Sequence, residues 1–262
     1  MTSVSLAGML WPPLGVLGEG ADWPPKRSLA QERSGFEFQS ADTQALQLDD
    51  FANPGLLWVD RGKALWEKPS ATDAPSCEGC HESAASSMAG AATRYPRHDA
   101  AAGGLINLTQ RINRCRTEQQ RQPELGYESY AMLALTALVA HQSKGLPFAV
   151  RIDGRNRPHF ERGRAYFQQR RGQMNLACRH CHEQHAGRMM RGERLSQGHS
   201  NGYPTYRLEW QGLGSLHRRL RFCNQAIRAE PFDYGSAEYL DLELFLAWRA
   251  ADLPIETPAV RR

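Results

Sequence analysis

The chain has 262 residues, 41% of them hydrophobic and 23% charged, with a formal net charge of +4 at pH 7 and a pI near 8.8. This is a globular balance, with enough chain for one large domain or two small ones. It excludes a bilayer-spanning helix, because the longest apolar run, residues 131–140, is well short of the roughly 18 residues a span needs. It gives no support to nucleic-acid binding either, since the arginines are spread along the chain without a basic-aromatic tract. A mild positive charge suits an anionic substrate or an acidic partner.

In chain order, residues 1–31 come first and read as a tail. They are apolar and rich in small residues, with no Lys or Arg before Lys26 and with Pro12-Pro13 interrupting the apolar run. A secretory signal needs a basic start and an unbroken apolar core. A remnant signal and a disordered tail are therefore both open readings.

Six cysteines follow, at 77, 80, 115, 178, 181 and 223. Four belong to two Cys-x-x-Cys-His motifs, Cys77-Glu78-Gly79-Cys80-His81 and Cys178-Arg179-His180-Cys181-His182. That pattern is the attachment signature of c-type haem: two thiols reach the two vinyl groups of one porphyrin, and the next histidine supplies the proximal nitrogen. A shared zinc is a poorer reading, because zinc-binding pairs are separated by tens of residues rather than about a hundred. A redox dithiol would not need the histidine that follows both pairs.

The motifs belong to a repeat. His182 lies 101 residues after His81, and Arg162-Gly163-Arg164-Ala165-Tyr166-Phe167 lies at the same offset from Arg61-Gly62-Lys63-Ala64-Leu65-Trp66. Beyond the second motif the offset becomes 108, as a seven-residue insertion would produce. Tyr95-Pro96 then matches Tyr203-Pro204, and Leu105, Leu108, Arg111 and Cys115 match Leu213, Leu216, Arg219 and Cys223. Self-similarity in this order marks an internal duplication. Strong helix formers at 130–141 and 238–249 predict a closing helix in each unit, each stopped by Leu-Pro, and residues 143–158 form the linker. Little reads as strand. The expected fold is mostly α: two tandem cytochrome c-like haem domains, 32–150 with an N-terminal extension and 151–262, behind the tail 1–31.

Each haem then needs a sixth ligand or an open position. Met88, Met174, Met189 and Met190 occupy no equivalent places in the two units, whereas Cys115 and Cys223 do. Leu105, Leu108, Ile112 and Cys115 fall at helical spacing, as do Leu213, Leu216, Leu220 and Cys223, so both thiols are expected on an apolar helix face. A small buried hydrophobe and a Cys115–Cys223 disulfide are the plain alternatives; duplication at matched positions favours axial thiolate ligation. Arg111 and Arg219 lie one turn before each cysteine. Arg218 and Arg221 have no counterparts in the first unit and are expected to concentrate positive charge beside Cys223, where guanidinium forks suit oxyanions.

With SGFEFQSADTQALQLDDFANPGLLWVDRGKALW at 34–66, both haem motifs and LHRRLRFCNQAIRAEP at 216–231, the chain resembles the SoxA family, dihaem cytochrome subunits of the SoxAX complex of bacterial sulfur oxidation. The resemblance covers about residues 32–255. It implies an L-cysteine S-thiosulfotransferase that couples thiosulfate oxidatively to a cysteine of the carrier SoxYZ, with two electrons leaving through haem to a cytochrome c acceptor. It implies two covalently bound haem c groups, held by Cys77 and Cys80 and by Cys178 and Cys181, with axial pairs His81/Cys115 and His182/Cys223. It further implies that Cys223 is the active-site cysteine, carried as a persulfide, that Arg219 contacts substrate, that a smaller cytochrome, SoxX, is the partner subunit, and that the chain works in the periplasm. The rivals are a dihaem thiosulfate dehydrogenase forming tetrathionate, a plain dihaem electron-transfer cytochrome and a dihaem peroxidase.

Overall fold

The computed structural model describes residues 31–69 and 73–262. Apart from Gln31, the tail expected at 1–31 lies outside the described residues. The helices are α1 (Ala41–Leu48), α2 (Leu56–Glu67), α3 (Cys77–His81), α4 (Ala84–Ser87), α5 (Leu108–Glu118), α6 (Tyr130–His141), α7 (Arg157–Gln168), α8 (Leu216–Ala226) and α9 (Ala237–Arg249). Short strands punctuate them: β1 (Arg97–Asp99), β2 (Gly104–Ile106), β3 (Met189–Met190), β4 (Glu193–Arg194), β5 (Thr205–Arg207), β6 (Gly212–Gly214) and β7 (Ala259–Arg261). The mostly helical expectation holds. The strands escaped the sequence pattern because each is two or three residues long, too short to show a period.

Each unit is built on one helix pair, α2 with α6 and α7 with α9. Both closing helices start where a serine side chain accepts an amide of the first turn, Ser129 from Met132 and Ser236 from Tyr239. The repeated Arg-Gly pair has a steric reason. A Cβ on Gly62 would lie 2.3 Å from the Ala134 carbonyl oxygen, and one on Gly163 would lie 2.0 Å from that of Asp241. Glycine lets each leading helix touch the backbone of its closing helix. In the second unit the crossing is also tied by charge: the buried Asp241 carboxylate is 2.6 Å from His159 Nδ1 and accepts from Arg162 Nε at 2.6 Å.

The two units are joined by a reciprocal exchange. Leu105 and Leu213, repeat equivalents, do not continue the cysteine helices as the helical spacing predicted. They sit in β2 and β6, ahead of the caps Asn107 and Ser215 that begin α5 and α8. Leu105 enters the core of the second unit, beside Phe160, Leu216 and Phe245, and Leu213 enters that of the first, beside Val59, Trp66 and Leu138. The equivalent linker segments also meet, Pro147 bridging to Pro254 and Lys144 to Ile255. Contacts between equivalent positions are those of a local two-fold, the arrangement of an isologous dimer built within one chain.

The leading segment, residues 33–53, wraps onto the other end of the chain. Gln47 Oε1 accepts the Val260 amide at 3.0 Å, Asn53 Nδ2 donates to the Pro258 carbonyl at 3.0 Å, and Ser34 bonds Glu256. It holds β7, which pairs in parallel with β5 in the three-stranded sheet β6-β5-β7. No helix among the described residues is long and apolar enough to cross a membrane.

Replacing Gly163 by Ala is expected to destabilise the protein by about 2–3 kcal/mol, a fall of about 5–10 °C in Tm. Gly104→Ala, where a Cβ meets nothing within 4 Å, is the control and is expected to stay within about 0.5 kcal/mol. Calorimetry of the two variants checks the crossing.

Candidate active site

The second haem motif begins as a helical turn at Cys178 and continues as a π-helical turn, His180–Gln184. His182 Nδ1 lies 2.8 Å from the Ser196 carbonyl oxygen. A carbonyl only accepts, so Nδ1 carries the proton and Nε2 is left as the free lone pair, the tautomer an iron ligand needs. Burial pushes the His182 imidazole down to about 4, the Ser196 bond acting in the other direction. The neutral ring is the ligating form. Gly198, at φ +73, lies against this ring, where a Cβ would come within 2.8 Å of Cγ. The loop 196–198 thus fixes the histidine from two sides.

Cys223 projects from α8, whose apolar face buries Leu216 and Leu220. Burial pushes Cys178 up to about 12, with Cys223 the next cause, and raises Cys181 for the same two reasons. The Cys223 sulfur is therefore in electrostatic range of both motif cysteines. Cys178, Cys181 and Cys223 are thus brought together, His182 follows Cys181 in the motif, and Arg219 lies in the field of both His182 and Cys223; these are the residue types a covalently attached haem would use. Met174, Met189 and Met190 are all about half exposed or more, so none is packed towards this site.

Of the three arginines expected to crowd Cys223, one does so. Burial depresses Arg219, but Cys223, Tyr203, Glu193 and Glu209 outweigh it and raise the guanidinium pKa overall. Arg219 also lies 5.1 Å from the ring of Phe222, which is partly exposed beside the thiol. The other two are engaged elsewhere, which corrects the expectation of a cationic cluster. Arg218 covers the Trp210 ring at 4.2 Å and faces Glu128 at 4.0 Å; Arg221 bonds the Phe232 carbonyl and covers Tyr234. Their charge is spent holding the helix, not on the thiol.

His217 completes the fixing of α8. Its Nδ1 accepts the Gly235 amide at 3.0 Å and its Nε2 donates to Glu243 at 3.0 Å, while its ring stacks on Tyr127 of the first unit at 5.0 Å. Asn107, the cap of α5, donates to the same Glu243 at 2.8 Å. The reactive helix is thus referenced to both units.

Sequence reasoning missed several contributors. Arg249 is buried behind the motif, donating to the Gln197 carbonyl at 3.1 Å and facing Glu183 at 3.4 Å. Gln197 in turn accepts the Arg33 amide at 2.7 Å, so the leading segment reaches the loop that holds His182. Neither carries a motif; Tyr203, matched to Tyr95 in the repeat, did carry a signal. The insertion after the second motif forms the hairpin β3–β4, and its Glu193 bonds Arg207 at 3.2 Å while contributing to the field on Arg219.

The first motif lies on α3, with Ser76 capping the turn at Gly79. The Trp66 ring lies 5.8 Å from His81, and Trp66 Nε1 donates to the Glu82 carbonyl at 2.9 Å. Cys115, on α5, is in range of Cys77, whose thiol burial raises. Here Cys80 and His81 are exposed. Arg111 is half-buried on α5. No disulfide joins Cys115 to Cys223. Among the described residues no group of three or more His, Cys, Asp and Glu is arranged to hold a metal ion.

Two helix-borne Cys-x-x-Cys-His turns, each faced by a thiol helix, define a c-type cytochrome with a duplicated domain. The family described as "SoxA/TsdA, cytochrome c domain" matches residues 61–148 and 162–255. The chain is 41% identical to the L-cysteine S-thiosulfotransferase subunit SoxA of Rhodovulum sulfidophilum over 87% of this chain and 80% of that protein, and 40% identical to that of Pseudaminobacter salicylatoxidans over the same shares. Its fold is similar to a chain in the crystal structure of SoxXA from P. pantotrophus, with a TM-score of 0.85 and 37% identity over 88% of this chain and 87% of that one. The chain belongs to the SoxA family, and as such it binds haem c.

Gly198→Ala is expected to lower haem incorporation at the second motif while leaving the first loaded, because the added methyl meets the His182 ring. The haem-to-chain ratio, with peptide mapping of the haem-bearing fragments, measures it.

Proposed function

We propose that this chain is the SoxA-type subunit of an L-cysteine S-thiosulfotransferase. It would join thiosulfate oxidatively to a cysteine of the carrier SoxYZ, in complex with the cytochrome SoxX, in the periplasm. In this reading residues 32–150 and 151–262 are the two haem domains and the second is catalytic. Two haem c groups would be held covalently, one by Cys77 and Cys80 with His81 and Cys115 available to its iron, the other by Cys178 and Cys181 with His182 and Cys223 available to its iron. The observation that carries the reading is Cys223 facing the second haem motif with Arg219 in its field.

The reaction balances as carrier thiol plus thiosulfate going to a carrier S-thiosulfonate, one proton and two electrons. When bound, haem would supply one-electron acceptor chemistry to this site. The chain's own residues do the rest. Arg219 draws the dianion to the thiol and offers it a fork of donors. The outer sulfur of a persulfide at Cys223 would form an S–S bond to the terminal sulfur of thiosulfate as its proton and two electrons leave, and the carrier thiol would then attack that terminal sulfur, taking the thiosulfonate group and returning the Cys223 persulfide with the thiol's proton. The low-dielectric surroundings strengthen the Arg219–anion attraction. The electrons pass onward to a cytochrome c acceptor.

Arg219→Ala is expected to cut turnover at least about 100-fold, the scale of one lost transition-state donor, while Arg111→Ala costs less than about fivefold; equal losses would assign both arginines to the haem propionates. Cys223→Ser is expected to abolish thiosulfate coupling and change the electron paramagnetic resonance spectrum of one haem only, and a plain electron-transfer cytochrome would keep its function. Intact mass is expected to show two haems per chain. Because the matched family spans both SoxA and TsdA, tetrathionate is the product to assay: its formation without any carrier would replace the present reading with thiosulfate dehydrogenase.

A further inference from the structure

A concentration of positive charge lies outside the Cys223 site, where the linker between the units folds back on the first. Arg94, Arg97, Arg151 and Arg155 line one concave pocket there, of about 760 Å³ including the part open to solvent. Asp153 is the one carboxylate in its wall, and Arg151 already spans it with two bonds, at 3.0 and 2.9 Å. Four guanidinium groups against one carboxylate leave three positive charges in one pocket of a chain whose whole net charge is +4.

The wall is built rather than incidental. Asn156, buried, accepts the His98 amide at 3.0 Å and donates to the Arg151 carbonyl at 2.8 Å, and the Ala149 amide donates to the Thr93 carbonyl at 2.8 Å. These bonds pin the linker across β1. Arg97 is held over the Tyr95 ring at 5.1 Å, and its Nε is enclosed without a hydrogen-bond partner. Arg94 and Arg155 have no carboxylate partner among the described residues. The enclosed Arg97 Nε, a donor without an acceptor, is costly unless an anion or water joins it, and the exposed guanidinium groups of Arg94 and Arg155 stand at the same pocket to meet that anion. The pocket is also not a repeated feature of the haem domain. At the repeat offset, Arg94 and Arg97 become Gly202 and Thr205.

We propose that this linker pocket is a binding site for a divalent tetrahedral oxyanion of the sulfate type, separate from the Cys223 site. Guanidinium forks match such oxygens two at a time, and a dianion removes most of the local excess charge. Because the pocket is shared between the first unit and the linker, the anion also ties the linker to the first unit and stabilises it by mass action.

Calorimetric titration of the holoprotein with sodium sulfate, against sodium chloride at equal ionic strength, tests the site. Saturable sulfate binding that Arg219→Gln leaves intact and that Arg94→Gln/Arg155→Gln weakens at least tenfold is the expected result. Arg94 and Arg155 are exposed, so the double variant folds, and an unchanged Tm without sulfate checks that it does. Sulfate indistinguishable from chloride, binding untouched by the double variant, or binding lost with Arg219→Gln alone would each overturn the proposal.

Discussion

The helix crossing in each unit governs how the chemistry is assembled. The leading helices α2 and α7 run into the two haem motifs, and the closing helices α6 and α9 support the thiol helices α5 and α8. Gly62 and Gly163 bring the members of each pair into backbone contact. The separation between a motif histidine and the cysteine that faces it is therefore set by how closely two helices approach. A methyl group at either crossing would push apart elements that must close on one porphyrin, and a packed core transmits such a displacement rather than absorbing it.

Much of this was legible because duplication repeats a signal. A single Cys-x-x-Cys-His or a single lone cysteine is ambiguous, but the pairing of Cys115 with Cys223 and of Gly62 with Gly163 separates shared architecture from accident. Helix 130–141 was legible from composition and its start from Ser129. The exchange of Leu105 and Leu213 was not, because helical spacing and a strand followed by a capped helix both place a leucine three residues before Leu108 or Leu216. Nor was the role of residues 34–53. Their work is done by Ser34, Gln47 and Asn53 bonding backbone and side chains more than two hundred residues away, and polar contacts at that range leave no periodicity.

The arginines of α8 show where a local reading fails. Three guanidinium groups within four residues looked like one electrostatic feature. On a helix, positions 218, 219 and 221 point in different directions, each successive residue turning by about 100°. Arg218 and Arg221 find aromatic faces and acceptors on their own sides, and only Arg219, one turn before Cys223, shares its face. Adjacency in sequence counted charges; adjacency on the helix surface decided which of them reaches the thiol.

That changes the ground on which the two sites are distinguished. The difference does not come from extra arginines at the second thiol. It comes from what encloses each motif histidine. His182 is gripped by the loop 196–198, itself tied by Gln197 to the leading segment and to Arg249, and the inserted hairpin adds Glu193 to the field around Arg219. His81 is exposed, with Trp66 beside it. An enclosed site in low dielectric makes the attraction between a guanidinium and an arriving dianion stronger than an open one does. The seven-residue insertion and the N-terminal wrap, two departures from the repeat, both converge on the second site. The duplication repeats one plan in two units, and these departures from the repeat are what would equip the second site, in the proposed reading, to hold a charged substrate.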